Sequence, residues 1–356
     1  MGKQRVGVGL IGFGGAGQVF HAPIIEAVEG LDLVKIRTTN QAHIEQCQQR
    51  YPQAQIVADS EEIFTDPQIE VVVVSTPNGS HFELTERALR AGKHVVVEKP
   101  FTITSAEADA LIELAQQQER LLTVHHNRRW DSDFRTVSSI VEAGMLGRLV
   151  EVEMHYDRFR NWLKEGAWRE KEGAGTGILY DLGSHLIDQA QCLFGLPTAV
   201  TADLRMQRTG AKTVDQFEVV LHYDDLKVTC KSGMLVSQPG PHFTVLGERG
   251  SFVKYGMDEQ EEALKGGRSP VGDAQWGQEP ESLWGQVYME QHGLVVRGQV
   301  ESMPGDYRLF YQNVYEAVLG KAELAVTAVQ ARNTIRLIEL AMQSDAEKRT
   351  VMVSNE

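Results

Sequence analysis

The chain has 356 residues, 42% of them hydrophobic and 24% charged, and a formal net charge of −14, which suits a globular protein of two domains. The acidic balance repels phosphate backbones and anionic bilayers, no basic patch offsets it, and no apolar run reaches the ~20 residues of a membrane span, so nucleic acid and membrane are excluded as partners. Three cysteines (Cys47, Cys192, Cys230) without CxxC spacing argue against a disulfide scaffold and a zinc site; no metal is expected and a reducing cytoplasm fits.

The first element begins almost at once, leaving no room for a secretory signal. Val6 to Ile11 reads as a buried strand that runs into Gly12, Phe13, Gly14, Gly15, Ala16 and Gly17 and then a helix. Gly12, Gly14 and Gly17 fit G-x-G-x-x-G in the strand-turn-helix setting where a backbone approaches a pyrophosphate. LDLVKIR is a second strand, HIEQCQQRYP a helix, and EEIFTDPQIEVVVVSTP a short helix feeding a buried strand, Val71 to Val74. HFELTERALRAGKHVVVEKP and SAEADALIELAQQQER with LLTVHHN each add a helix and a strand. Such alternation predicts a doubly wound parallel sheet over residues 1–125, with ligands beyond the carboxyl ends of its strands.

The second strand ends in Arg37, Thr38, Thr39 and Asn40. An acid there would bind the 2′-hydroxyl of NAD; hydroxyls and a cation suit a 2′-phosphate, so NADP is favoured over NAD. Ser75, Thr76, Pro77, Asn78 and His81 follow the third buried run and are placed to line the cofactor. Asn127 and Arg128 begin the second domain, residues 126–356.

Beyond residue 125 the period changes. RLVEVEMHYDRF, TAVTADLRMQ, DQFEVVLHYDD, KVTCKSGML and HFTVLGERGSFVKY alternate as strands separated by turns at 223–225 and 247–250, which predicts an antiparallel sheet. One face is to be covered by a helix over GILYDLGSHLIDQ and another from Val326 to Met342. The other face is left for solvent or for a second copy, so a homodimer or homotetramer through this sheet is expected. Residues 256–285 read as an ordered excursion with a short helix around Glu261. In GILYDLGSHLIDQ, Asp181, His185 and Asp188 fall at i, i+4 and i+7 and would form one polar stripe on a helix. Alone, the D-x-x-x-H pair suits a helix-stabilising i,i+4 contact better than catalysis, and a divalent metal would find no third nearby ligand except Asp188, which reads as a structural carboxylate.

Glu98, Lys99 and Pro100, set between a G-x-G-x-x-G domain and the D-x-x-x-H of Asp181 and His185, resemble the Gfo/Idh/MocA oxidoreductases over essentially the whole chain. The resemblance implies an N-terminal Rossmann domain followed by an α+β domain with a large, mostly antiparallel sheet. It carries the catalytic role onto Lys99, Asp181 and His185. His185 would take or return the hydroxyl proton, Asp181 would orient it and hold a second hydroxyl, and Lys99 would stabilise the developing alkoxide. It also implies that Glu98 binds a ribose hydroxyl and that Trp168 and Arg169 reach the nicotinamide. Tyr156 and Arg158, with His155, Arg160 and Asn161, lie on or after a strand where they offer hydroxyl-binding groups.

Longer stretches, FHAPII, HNRRWDSDF, WREKEGAGTGILYDLGSHLIDQ and SFVKYGMDEQEEAL, resemble the branch of NADP-dependent scyllo-inositol dehydrogenases. That branch carries an Arg in the turn after the second strand, where this chain has Asn40 with Arg37 earlier. The implied activity is hydride transfer between a cyclic polyol or sugar alcohol and NAD(P), with reduction of another keto-sugar, anhydro-sugar or inosose as the alternative. A non-catalytic dinucleotide sensor of this family would be expected to lose the Lys or the D-x-x-x-H pair, and both are present.

Overall fold

The computed structural model describes residues 4–354, without the side chains of Trp168 and Gln291. In chain order the elements are β1 (Val6–Ile11), α1 (Ala22–Ala27), β2 (Leu31–Arg37), α2 (Gln41–Arg50), β3 (Gln55–Val57), α3 (Glu61–Phe64) and β4 (Val71–Val74). Then come α4 (His81–Arg90), β5 (His94–Val97), α5 (Ser105–Gln117), β6 (Leu122–Val124), α6 (Ser132–Glu142), β7 (Leu149–His155), α7 (Ser184–Phe194) and β8 (Ala199–Arg205). β9 (Gln216–His222), β10 (Lys227–Gly233), β11 (Phe243–Gly247), β12 (Gly250–Lys254), α8 (Gln260–Lys265), β13 (Gly285–Gln291), β14 (Leu294–Val300), α9 (Arg308–Val318), α10 (Ala328–Glu347) and β15 (Val351–Met352) complete it.

The chain forms two compact units: Met1–Asn127 with Glu259–Trp276 and Asp306–Arg332, and Arg128–Asp258 with Gly277–Gly305 and Asn333–Glu356. The later segments of the first unit return to it because α9 packs on α1 and α8 on the turn Gly17–His21. In this unit six strands pair in the order β3-β2-β1-β4-β5-β6, all parallel. The sheet is the one that continuous apolar strands dictate: every residue of β1 and β4 is buried, so both faces must be covered by helices.

The second unit holds nine strands in the order β14-β13-β12-β11-β7-β10-β9-β8-β15. Only the central pair, β7 with β10, runs parallel; the other neighbours are antiparallel. Alternation sets one face inward. Phe217, Val219 and Leu221 of β9 are fully buried, as are Val152 and Met154 of β7 and Val245 of β11, each side chain contributing about 2 kcal/mol by burial. α7 packs on β10, and Gln191 of α7 donates to Thr334 of α10 at 3.2 Å. Ser344 and Asp345 of α10 accept from the backbone of β8 at Ala202 and Leu204.

Candidate active site

In the first unit, β1 is followed by Gly12, whose φ of +100° lies in the left-handed region. A Cβ there would sit 2.2 Å from the Ser75 carbonyl oxygen, and one on Gly17 would sit 2.4 Å from the Gly12 carbonyl oxygen. Both glycines are therefore required by close backbone approach. At Gly14 and Gly15 an added Cβ would meet nothing within 4 Å, so the outer side of the turn is open. The Phe13 side chain turns the other way, edge-on to Tyr51 at 6.0 Å. The helix that follows opens as a wide π-turn, Gly17–His21, before α1, a feature frequent at functional sites.

Ser75 lies beside this turn, its hydroxyl buried and without a hydrogen-bond partner among the described residues. An open glycine turn and an orphaned hydroxyl fit a dinucleotide pyrophosphate that approaches from that side. At the end of β2, Arg37 donates from Nε to the Ala58 carbonyl at 3.0 Å. Thr38 is buried and Thr39 exposed. Asn40 caps α2 by accepting from the His43 amide at 3.2 Å, so capping accounts for an Asn at that place. Thr76 accepts from Ser80 at 2.7 Å, Pro77 is exposed, and Asn78 and Asn127 are buried. His81 is buried with both ring nitrogens 2.9 Å from backbone oxygens, those of Pro100 and Thr76; it ties the ends of β4 and β5 together.

Glu98 is buried at the end of β5. Its Oε1 lies 2.8 Å from His21 Nε2 and 2.9 Å from His125 Nδ1, and Oε2 accepts from the Lys99 amide at 2.9 Å. Burial by itself would raise this carboxyl; the hydrogen bonds from His125 and His21 outweigh it and hold Glu98 well below the usual carboxylate range. Lys99 is half-buried.

In the second unit, Gly177 has a φ of +79°, and a Cβ on it would lie 2.8 Å from the Val214 carbonyl oxygen. The next residue, Ile178, donates to that oxygen at 2.9 Å. The chain then enters a π-turn, Leu179–Gly183, before α7. The continuous α-helix expected over this run is thus wider at its start, with Gly183 letting Leu179 and Phe217 close in at 3.0 and 3.4 Å from its ideal Cβ. Gly177→Ala is expected to cost about 2 kcal/mol through backbone strain and crowding. Chemical denaturation reads this; an unchanged midpoint would contradict the requirement.

Asp181 and His185 are both 5% exposed. Arg169 Nη1 stands 3.3 Å from Asp181 Oδ2, and the Tyr156 ring stacks on His185 at 6.3 Å with 22° between planes. Arg128 and Arg158 cover the Tyr156 ring at 5.0 and 4.9 Å. Burial and the repulsion of Arg158 and Arg169 lower Arg160. The carboxylate, the imidazole and the cations form one polar cluster able to hold hydroxyls and pass a proton. The third member of the stripe, Asp188, is engaged elsewhere: Arg129 donates to both its oxygens at 2.8 and 2.6 Å in a buried pair. His155 lies 3.2 Å from Asp157, and Asn161 is exposed. The Trp168 side chain falls outside the described residues.

The loop carrying Arg169 is clamped. Buried Arg208 donates to Asp215 at 2.9 Å, to Glu170 at 2.8 Å and to the Trp162 carbonyl at 2.9 Å. Thr213 donates to the Arg169 carbonyl at 3.1 Å. Sequence reasoning missed Arg208, Arg129, His21 and His125. The partners of His21 lie 77 and 290 residues away, and no spacing rule reaches that far.

The buried histidines give stability a definite pH dependence. Burial pushes His21 and His94 down to about 4 and His242 down to about 3, whereas an unfolded chain holds a histidine near about 6.5. Folded values below unfolded ones mean that the unfolded chain binds more protons as pH falls below about 6.5, so stability is full above it and lost beneath. Depressed Glu98 acts in the same direction at lower pH. Asp133, raised by burial and by neighbouring Asp258, opposes them by taking its proton in the folded state. With His81, which burial also lowers, four histidines outweigh the one carboxyl: the melting temperature is expected to fall from about pH 7.5 to about pH 5, with net proton uptake on unfolding. A flat or rising melting temperature over that range would contradict it.

Against known proteins, residues 6–126 match the family described as "Oxidoreductase family, NAD-binding Rossmann fold", and residues 139–353 match "Oxidoreductase family, C-terminal alpha/beta domain". The scyllo-inositol 2-dehydrogenase (NADP(+)) IolW of Bacillus subtilis is 41% identical over 352 residues, which cover 99% of this chain and 97% of that protein. YdgJ of Escherichia coli is 40% identical over 360 residues, 99% of this chain and all of its own. The solved structure of YvaA from Bacillus subtilis matches with a TM-score of 0.95 at 40% identity, covering 99% of this chain and 100% of that one.

Proposed function

The chain belongs to the Gfo/Idh/MocA family of oxidoreductases, and from that premise we propose that it transfers a hydride between a secondary alcohol of a cyclic polyol, scyllo-inositol, and NADP. That it is an oxidoreductase using NADP or NAD follows from the family; the polyol and the preference for NADP are the proposal. The observation that supports the substrate is the likeness, along 99% of the chain, to an enzyme named for scyllo-inositol and NADP(+).

When bound, the nicotinamide takes or returns the hydride. The protein's part is the proton and the geometry. His185 accepts the proton of the reacting hydroxyl, with its ring plane set by Tyr156. Asp181, its charge shared with Arg169, holds a neighbouring hydroxyl, and Lys99 stabilises the developing alkoxide. Gly12 to Gly17 and Ser75 receive the pyrophosphate, while Arg37, Thr38 and Thr39 face the ribose 2′-phosphate.

We infer further that the domain boundary near residue 125 separates cofactor from substrate binding, and that the enzyme works in the cytoplasm. Among the described residues no helix is long and apolar enough to cross a membrane. Copies associate through the nine-stranded sheet, where edge strand β14 exposes Leu294, Val295 and Val296 by 70%, 51% and 46%. Light scattering tests this, and a monomer mass would contradict it.

The functional reading is tested by the nicotinamide absorbance of the purified protein with NADP or NAD against scyllo-inositol, myo-inositol and glucose. Saturable reduction of NADP with scyllo-inositol is the expected result. Turnover of glucose alone, or of none of the three despite cofactor binding, would remove the substrate assignment.

A further inference from the structure

Within the first unit, the donors and acceptors around Glu98 can be assigned one by one. Tyr311 lies 2.6 Å from His21 Nδ1, and burial, with the Glu98 charge, raises its phenol well above the ordinary value, so the hydroxyl keeps its proton and donates it. His21 then carries its hydrogen on Nε2, which points at Glu98 Oε1 at 2.8 Å. His125 donates from Nδ1 to the same oxygen at 2.9 Å, and its Nε2 has no partner among the described residues, as expected for the unprotonated nitrogen. The second carboxylate oxygen accepts the Lys99 amide at 2.9 Å. On the far side of Lys99, the Pro100 carbonyl lies 2.9 Å from His81.

His21, Glu98 and His125 also have metal-ligand chemistry, with donor atoms within 4.8 Å of one another. The hydrogen-bond distances account for the cluster without an ion: both imidazoles touch one oxygen directly, and each contact has one proton to fill it. The network has no exposed member. Glu98, His21, His125 and Tyr311 are 7%, 0%, 1% and 0% exposed, so its product is not binding but the fixed backbone of the residue that follows Glu98.

We propose that Tyr311, His21 and His125 are positioning residues that lock the Glu98 carboxylate so that it holds the Lys99 backbone, and thereby its ammonium, in register for catalysis. The proposal rests on Lys99 acting in turnover as set out above. Glu98 is then engaged with its own chain as the anchor of Lys99 in addition to any contact with a ribose. A misplacement of a catalytic group by about 1 Å is enough to cost about 10²-fold in rate.

The donor geometry yields a test that separates positioning from bulk stability. Asn presents its amide nitrogen near the place of an imidazole Nδ1; Leu presents none. His125→Leu is expected to lower kcat about 10–10²-fold with the NADP dissociation constant little changed, and His125→Asn to recover most of the loss. The rate at which a small amine-acylating reagent labels Lys99, mapped by peptide mass spectrometry, should change several-fold in His125→Leu and return in His125→Asn. That readout needs no turnover, so failure of the polyol assignment would leave it intact. Nitrogen-15 spectra of the wild-type protein should show His21 protonated on Nε2 and His125 on Nδ1, and Tyr311→Phe, the mildest change, should shift Lys99 labelling in the same direction by less. Equal losses in the Leu and Asn variants, unaltered labelling in a folded His125→Leu or Tyr311→Phe protein, or the opposite tautomers would overturn the proposal.

Discussion

Replacing His185 with Ala, Asp181 with Asn or Lys99 with Ala is expected to lower kcat by about 10²–10⁴-fold while cofactor affinity changes little. The size follows from the role proposed for each group. An alcohol does not release hydride while its proton is held, so removing the imidazole leaves the proton to water at a far less favourable pKa. Asp181→Asn keeps the shape but removes the charge that Arg169 faces at 3.3 Å, leaving the guanidinium without its anion. Lys99→Ala removes the cation proposed to stabilise the alkoxide and none of the hydrogen bonds of Glu98, since those reach the Lys99 amide and not its side chain. Steady-state kinetics with a separate titration of NADP reads both quantities. Wild-type turnover in any of the three variants would remove that residue from the chemistry, and a large loss of NADP affinity in His185→Ala would assign that residue to binding.

The second large effect concerns Asp188, the member of the stripe that pairs with Arg129. Asp188→Ala takes the carboxylate away from the buried Arg129 guanidinium, and such a change costs about 3–5 kcal/mol of folding stability. Burial works against the charge of Arg129 and the Asp188 carboxylate overcomes it, so the pair is sound only as a pair. Arg129→Met with Asp188→Leu, which removes both charges and keeps the volume, should recover much of the loss. Denaturant titration of the two single variants and the double variant measures the coupling. Additive losses would mean that the two side chains do not act together.

How much of this was legible depends on how local each feature is. β1, the glycine turn and the run Val71–Val74 are written in consecutive residues, because strand burial and left-handed backbone are decided within a few positions. The D-x-x-x-H spacing is local too, yet spacing alone could not tell that Asp188 turns to Arg129, nor that Leu179–Gly183 forms a π-turn before α7. β13 and β14 escaped the reading for a different reason. β14 is exposed on both faces over most of its length and carries no inward-outward alternation, while β13 does alternate but buries only Gly285 and Val287 among its described residues. The Arg208 clamp and the Tyr311-His21-Glu98-His125 network join residues distant in the chain, and only the folded sheet brings them together. The resemblance to a known family named Lys99 as the candidate catalytic lysine; it did not name what holds that lysine.

Under the proposed function a hydride leaves a ring carbon of scyllo-inositol for the nicotinamide under the control of this chain's residues. The most direct test supplies the polyol deuterated at carbon together with NADP and examines the reduced cofactor by mass spectrometry and proton NMR. One deuterium is expected at the nicotinamide C4 position, formed by wild-type protein and at a sharply lower rate by His185→Ala. Reduced cofactor without deuterium, or no reduced cofactor at all from protein that binds NADP, would contradict the proposed function.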